Sequence, residues 1–308
     1  MTRLASIDMG SNSLHLFIVN VDVNGNFEAV ELLRSSLRLG ADWTPETHGI
    51  SAEKTELAIA TLKGFVEQAL LHDVDTILCS ATAALREADN QEAFRHRLKT
   101  ELSLNLRVLS GVEEAAIVYR GTRTHLEGEV LLFDLGGRST ELVYGAGPQP
   151  DACMSLPIGH LGLHSKASIQ QPASESDWEM LVEYALEEIR EVGPMGSENC
   201  TLCSPSGAVR TLARMAAFAR GESPTGRGEG LSLSQAELSL LVQQLRTAEQ
   251  GQLGNIPGID IRRADTLLAA AAIIQALLLR FSQDRVLAAP GGLREGLILE
   301  WAEAHKAG

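Results

Sequence analysis

Two ten-residue stretches of this chain can be laid on each other. Ile7-Asp8-Met9-Gly10-Ser11-Asn12-Ser13-Leu14-His15-Leu16 lies on Phe133-Asp134-Leu135-Gly136-Gly137-Arg138-Ser139-Thr140-Glu141-Leu142, with Asp, Gly, Ser and Leu matched at one constant offset. The separation is far too long for a solenoid, so the pattern suggests a duplicated domain. In each copy an Asp stands at a strand end, a tight Gly/Ser turn follows, and a second strand leaves. Such a carboxylate can hold a metal directly or through water, while the amides and hydroxyls of the turn can cradle phosphate oxygens. Two loops of this kind facing each other would clamp a phosphate.

The rest of the chain fits two domains. Its 308 residues exceed most single domains. Leu4 to Asp8, Leu14 to Val23 and Phe27 to Leu33 read as a strand meander joined by turn residues such as Asn24-Gly25-Asn26. Apolar residues from Leu57 to Leu70 recur at helical spacing, and Thr76 to Cys79 reads as the next strand. Leu106 to Leu109 is strand-like, and Ser110-Gly111-Val112-Glu113-Glu114 opens a helix reaching about Thr124. The second half repeats the theme, with strands at Glu129–Asp134, Ser139–Tyr144 and Ala152–Leu156, helices around Glu175–Glu191 and Ala208–Ala219, and a Gly-rich loop at Gly221–Gly230.

Several classes are disfavoured. With 26 Lys+Arg against 40 Asp+Glu, the net charge of −14 opposes diffuse binding to nucleic acid or anionic membranes. A polyanionic ligand would need local cations and amides. Four scattered cysteines, Cys79, Cys153, Cys200 and Cys203, do not form a disulfide framework, and a reducing cytoplasm fits them best. No signal-peptide h-region is visible at the start. The strongest apolar run, Leu267 to Leu279, is interrupted by Gln275 and is shorter than the roughly 20 residues of a membrane span, so it reads as a buried helix.

Seven motifs in order resemble the exopolyphosphatase / guanosine pentaphosphate phosphohydrolase family in its short form, whose fold is similar to the actin, sugar kinase and heat-shock ATPase superfamily. They are Ser6 to Ser13, Ser80 to Asn90, Ser110 to Ala115, Asp134 to Leu142, Ser206 to Arg210, Arg262 to Asp265 and Gly291 to Gly296. The resemblance implies an α/β protein of two ribonuclease-H-like domains, each a mixed sheet flanked by helices, with the active cleft between them. The expected boundaries are 1–120 and 121–308, with a C-terminal helix at about 297–308 packing back on the first domain. The implied activity is release of terminal orthophosphate from inorganic polyphosphate, with guanosine pentaphosphate as second substrate.

The resemblance also assigns roles. Glu114 is the general base that orients water and accepts its proton. Asp134, with Glu114 and Asp8, is expected to bind Mg²⁺, or Mn²⁺ in its place. Phosphates are expected on the amides of Ser11, Asn12, Ser13, Gly136, Gly137, Arg138, Ser139 and Thr140, on Ser206 and Gly207, and on the Arg86 guanidinium. Taken singly, these residues have plainer readings. Glu114 suits the first turn of any helix, Asp134 suits a turn, and Arg86 could cap a helical segment.

The chain also departs from the family pattern. Arg138 replaces the third glycine of the second loop, Ala208 stands where Thr is common, and Ala289-Pro290 stand where Ser-Gly is usual. An arginine at 138 is unfavourable if the loop needs a positive φ, although its guanidinium can bind phosphate bidentately. Two alternatives stay open, a non-hydrolytic sensor of polyphosphate or guanosine polyphosphates and an ATP-dependent small-molecule kinase. His160 and His164 lack a third ligand and read as surface or cleft-edge residues. Cys200 and Cys203 read as buried free thiols, and the helix from Asp265 to Leu279 as core, a type of helix that also supports a homodimer.

Overall fold

The computed structural model describes residues 1–40, 48–197 and 200–305; residues 306–308 of the expected C-terminal helix lie outside the described residues. The chain divides into two compact units. The first comprises Met1–Gly121 and Gly291–Gly308, and the second Thr122–Pro290.

The first unit opens with β1 (Thr2–Met9), β2 (Leu14–Val21) and β3 (Phe27–Ser35). It continues through α1 (Ala52–Leu71), β4 (Thr76–Ala81), α2 (Ala83–Arg86), α3 (Gln91–Leu102), β5 (Leu106–Val108) and α4 (Gly111–Arg123). Its sheet has the order β3-β2-β1-β4-β5. β1, β2 and β3 run antiparallel, while β4 and β5 lie parallel to β1. Alternation along β1 buries both faces. Ala5, Ile7 and Met9 join Leu62 and Phe65 of α1 and Phe94 and Leu98 of α3 in one core. Leu4 points the other way, into a smaller core with Phe17, Val19 and Val21.

That second face is covered from the far end of the chain. The last helix, α10 (Leu293–His305), contributes Ile298 and Ala302 to the Leu4–Phe17 core. It starts at Leu293, earlier than the expected 297, and so includes Arg294, Glu295 and Gly296. α10 crosses α4 at backbone contact. A Cβ at Gly121 would collide with the Gly292 carbonyl and the Gly296 amide, and one at Gly296 with the Ile117 carbonyl. Only glycine permits this approach.

The second unit carries β6 (Val130–Leu135), β7 (Thr140–Gly145), β8 (Ala152–Leu156), α5 (His160–Ala167), α6 (Glu175–Ile189), β9 (Thr201–Ser204) and α7 (Gly207–Ala219). β10 (Ser232–Ser234), α8 (Gln235–Thr247), α9 (Leu267–Arg280) and β11 (Arg285–Ala288) complete it, and α10 is Leu293–His305. Its strand order is β10-β11-β9-β6-β7-β8. Reading β8-β7-β6-β9-β11 against β3-β2-β1-β4-β5 matches strand for strand, with β10 added at one edge. The chain therefore folds as two ribonuclease-H-like units, each a mixed sheet with flanking helices.

α9 is buried at eleven positions between Leu267 and Leu278 and forms the centre of the second core. Both α6 and α8 begin with reciprocal caps, Ser174 with Asp177 and Ser234 with Glu237. His160 corrects one expectation: it lies at the start of α5 and is 2% exposed rather than at a surface. Cys200 and Cys203 are buried free thiols. Burial pushes the Cys79 and Cys203 thiols up to about 12. No helix of the described residues is long and apolar enough to cross a membrane.

Three outcomes are expected. Gly296→Ala should lower the unfolding free energy in denaturant titration by about 1–3 kcal/mol through overpacking. Gly64→Ala, in a part of α1 with nothing within 4 Å of the added methyl, should raise it by up to about 1 kcal/mol. Alkylation of the native protein at mildly alkaline pH should spare Cys79 and Cys203, and both should react after unfolding.

Candidate active site

In the first unit, β1 pairs with β2 so that Asp8 faces His15 and Met9 faces Leu14. The turn between them closes when the Gly10 amide donates to the Ser13 carbonyl at 3.0 Å. The carbonyls of Asn12 and Ser11 accept from the amides of Arg38 at 3.0 Å and Gly40 at 3.3 Å. Ser11, Asn12 and Ser13 are all buried, and the Ser13 hydroxyl accepts from Arg34 Nη2 at 2.9 Å. Asp8 Oδ2 stands 3.5 Å from His15 Nδ1, too far for a good hydrogen bond. Burial, ahead of every charge nearby, lowers the His15 pKa and keeps the ring neutral.

The second unit repeats this device. The Gly136 amide donates to the Ser139 carbonyl at 3.0 Å, the same closure as in the first turn. Here the residue opposite Asp134 is Glu141. Directly opposed residues of an antiparallel pair share a face, so two carboxylates meet where the first unit has an acid and a neutral imidazole. Glu141 is 1% exposed and accepts from Ser155 Oγ at 2.8 Å. Thr140 turns its hydroxyl inward, donating to the Ile158 carbonyl at 2.6 Å.

The start of α5 holds the back of this loop. The His160 amide donates to the Gly136 carbonyl at 3.1 Å, and the amides of Leu161 and Gly162 donate to the Gly137 carbonyl at 2.8 and 3.1 Å. First-turn amides of a helix lack intrahelical partners, and here they satisfy the carbonyl side of the loop. The fit demands glycine at 159, where a Cβ would strike the Gly137–Arg138 peptide. Arg138 itself is absent from the residues with positive φ. The missing third glycine therefore puts no strain on this loop, which closes without a left-handed residue at 138.

Glu114 lies in the first turn of α4 and is 7% exposed. Its Oε2 accepts from Arg86 Nη1 at 2.9 Å, and the same nitrogen donates to the Leu109 carbonyl at 2.9 Å. The neighbouring Glu113 has a different task. Its Oε2 accepts from the Ser110 amide at 2.9 Å while its own amide donates to Ser110 Oγ at 3.3 Å, a reciprocal cap at the start of α4. These bonds, with Arg107 at 3.1 Å, hold the Glu113 pKa at about 2. A depressed carboxyl pKa stabilises above the ordinary carboxylate range, so the cap weakens only as pH falls toward 2. Ser206 caps α7, its Oγ accepting from the Val209 amide at 3.4 Å, and Gly207 is the first residue of that helix.

Among the described residues no group of three or more His, Cys, Asp or Glu side chains could hold a metal ion. The donors that are present nevertheless suit Mg²⁺, which is commonly bound through one or two carboxylates plus water and substrate phosphates. Asp134 and Glu141 are hard oxygen donors that stand opposite each other on the β6–β7 pair. The sequence motifs assign no role to Glu141 or Gly159. The seven-residue step from Asp134 to Glu141 around a tight hairpin was the available signal for the first. Gly159 had none, because it acts through a contact with a loop some twenty residues earlier.

The whole chain is similar to known proteins in sequence and in fold. Exopolyphosphatase 1 of Mycobacterium tuberculosis is 27% identical over 315 residues, spanning 99% of this chain and 90% of that protein. The guanosine-5'-triphosphate,3'-diphosphate pyrophosphatase of Vibrio parahaemolyticus is 28% identical, spanning 97% of this chain and 59% of that protein. The crystal structure of the Aquifex aeolicus Ppx/GppA family member superposes with a TM-score of 0.82 at 27% identity, covering 98% of both chains. An exopolyphosphatase from Cytophaga hutchinsonii gives a TM-score of 0.86 at 25% identity, again over 98% of both chains. Residues 18–305 match the Ppx/GppA phosphatase family, and the chain belongs to that family.

Proposed function

We propose that this chain hydrolyses the terminal phosphoanhydride bond of inorganic polyphosphate, with guanosine pentaphosphate as a second substrate. The observation that carries the reading is Glu114, a buried carboxylate at the start of a helix whose position is held by Arg86 at 2.9 Å. Polyphosphate ranks first for two reasons. Loops that offer amides and cations recognise phosphates rather than bases, and the relative named as an exopolyphosphatase aligns over 90% of its length.

Glu114 orients a water in line with the terminal phosphorus and takes its proton as the new P–O bond forms. The bridging P–O bond breaks with its electron pair leaving on the shortened chain, and orthophosphate is released. Each unit has its own groups suited to phosphate oxygens: the turn amides at 11–13 in the first, and in the second those at 136–140 with Ser206 and Gly207 at the start of α7. Arg86 uses only Nη1 on Glu114 and Leu109; Nε and Nη2 bond to nothing among the described residues, which leaves that edge for an anion. Asp134 and Glu141 would hold Mg²⁺, and the ion would supply neutralisation of phosphate charge; Asp8 is the corresponding strand-end carboxylate of the first unit.

Phosphate release from long-chain polyphosphate and from guanosine pentaphosphate should be measured in parallel, with Mg²⁺ or with EDTA. The wild type should release phosphate in Mg²⁺ and lose activity in EDTA. Glu114→Gln should lower kcat by about 10²–10⁴-fold with little change in KM. Glu113→Ala, which removes the helix cap and leaves the base, should lower stability by about 0.5–2 kcal/mol with a much smaller effect on kcat. Tight guanosine pentaphosphate binding without release would replace hydrolysis by sensing, and ATP-dependent phosphorylation of a small acceptor would replace it by kinase chemistry.

A further inference from the structure

The second unit carries a surface that phosphate chemistry does not use. α6 and α8 each pack on α9 rather than closely on one another, and a groove of about 610 Å³ runs between them. One wall is α6, where Trp178, Val182 and Leu186 follow at steps of four and so form one stripe. Val242 of α8 faces them. The floor is α9, whose Gln275 is the only residue between Leu267 and Leu278 that is not buried. A polar residue interrupting an otherwise apolar buried helix is accounted for by this opening to the groove.

The rim has a sign. Glu179 and Glu183 border the groove along α6, and neither has an ion-pair or hydrogen-bond partner among the described residues. The one cation lining the groove, Arg246, is already engaged, with Nη2 on Glu175 at 2.5 Å and Nη1 on the Ala173 carbonyl at 3.4 Å. That pair closes one end. The result is an apolar trough with an uncompensated anionic edge, on a chain whose net charge is −14.

We propose that this groove docks an amphipathic helix of a basic partner protein. Its apolar stripe would lie on Trp178, Val182 and Leu186, and its Lys or Arg residues would meet Glu179 and Glu183. A helix suits a trough walled by two helices, where no strand edge is offered for pairing. A second copy of this chain fits poorly. A two-fold interface uses the same patch on both subunits, so each side would bring the same acidic edge while the one cation lining the groove, Arg246, is already engaged.

The test uses the whole protein with two synthetic helices of identical apolar pattern, one of leucine and lysine and one of leucine and glutamate. At roughly physiological salt, where the Debye length is about 8 Å, the leucine–lysine helix should bind saturably and shift the Trp178 emission, and Trp178→Phe should abolish that response. Glu179→Lys combined with Glu183→Lys should raise its Kd about tenfold or more, and this variant should then accept the leucine–glutamate helix. Binding that is absent, or that survives the charge reversal unchanged, overturns the proposal. Concentration-dependent self-association of the wild type that is lost in Leu186→Lys also overturns it, by assigning the groove to a second copy.

Discussion

The backbone contact between α4 and α10 governs much of the first unit. Gly121 and Gly296 let the helices touch without intervening side chains. This fixes α4, which starts with the Ser110–Glu113 cap and Glu114, and it seats α10 on the Leu4–Phe17 core. Ion pairs flank the crossing, Arg107 with Glu300 at 2.6 Å and Arg120 with Glu303 at 3.0 Å. At least one partner of each pair is solvent-exposed, where an ion pair is worth no more than about 1 kcal/mol. Steric fit at two glycines, rather than charge, sets the geometry.

The two hairpins that descend from the duplication have kept their backbone and changed their chemistry. Both close with the same amide-to-carbonyl bond at 3.0 Å. Opposite the strand-end Asp, one has His15 and the other Glu141. A buried imidazole kept neutral brings no second negative charge to Asp8, whereas Glu141 doubles the anionic character around Asp134. A cation therefore gains more from the hairpin of the second unit, although the two loops look alike as strings of residues.

Much of this architecture was legible from local pattern. The strands at 2–9, 14–21, 130–135 and 140–145 follow from apolar runs broken by Gly/Ser turns, and the repeat of those runs pointed to two similar units. Short elements such as β10 and β11 carry too few residues to show a period. The pairing of Arg86 with Glu114 joins residues 28 positions apart, so only tertiary structure reveals that this arginine touches the base. The tolerance of Arg138 was equally hidden. It depends on a φ that the sequence does not display, and on amides from α5 that hold the loop from behind.

The covering of β1 and β2 by α10 has a consequence for biosynthesis. Phe17, Val19 and Val21 emerge from the ribosome before the second unit, while Ile298 and Ala302, which cover them, emerge only after every residue of it. During that interval the nascent first unit carries an apolar sheet face with no cover of its own. Such a face invites chaperone capture or off-pathway association. Completion of the first unit is thus tied to synthesis of α10, and a chain cut short before α10 would leave that unit unfinished.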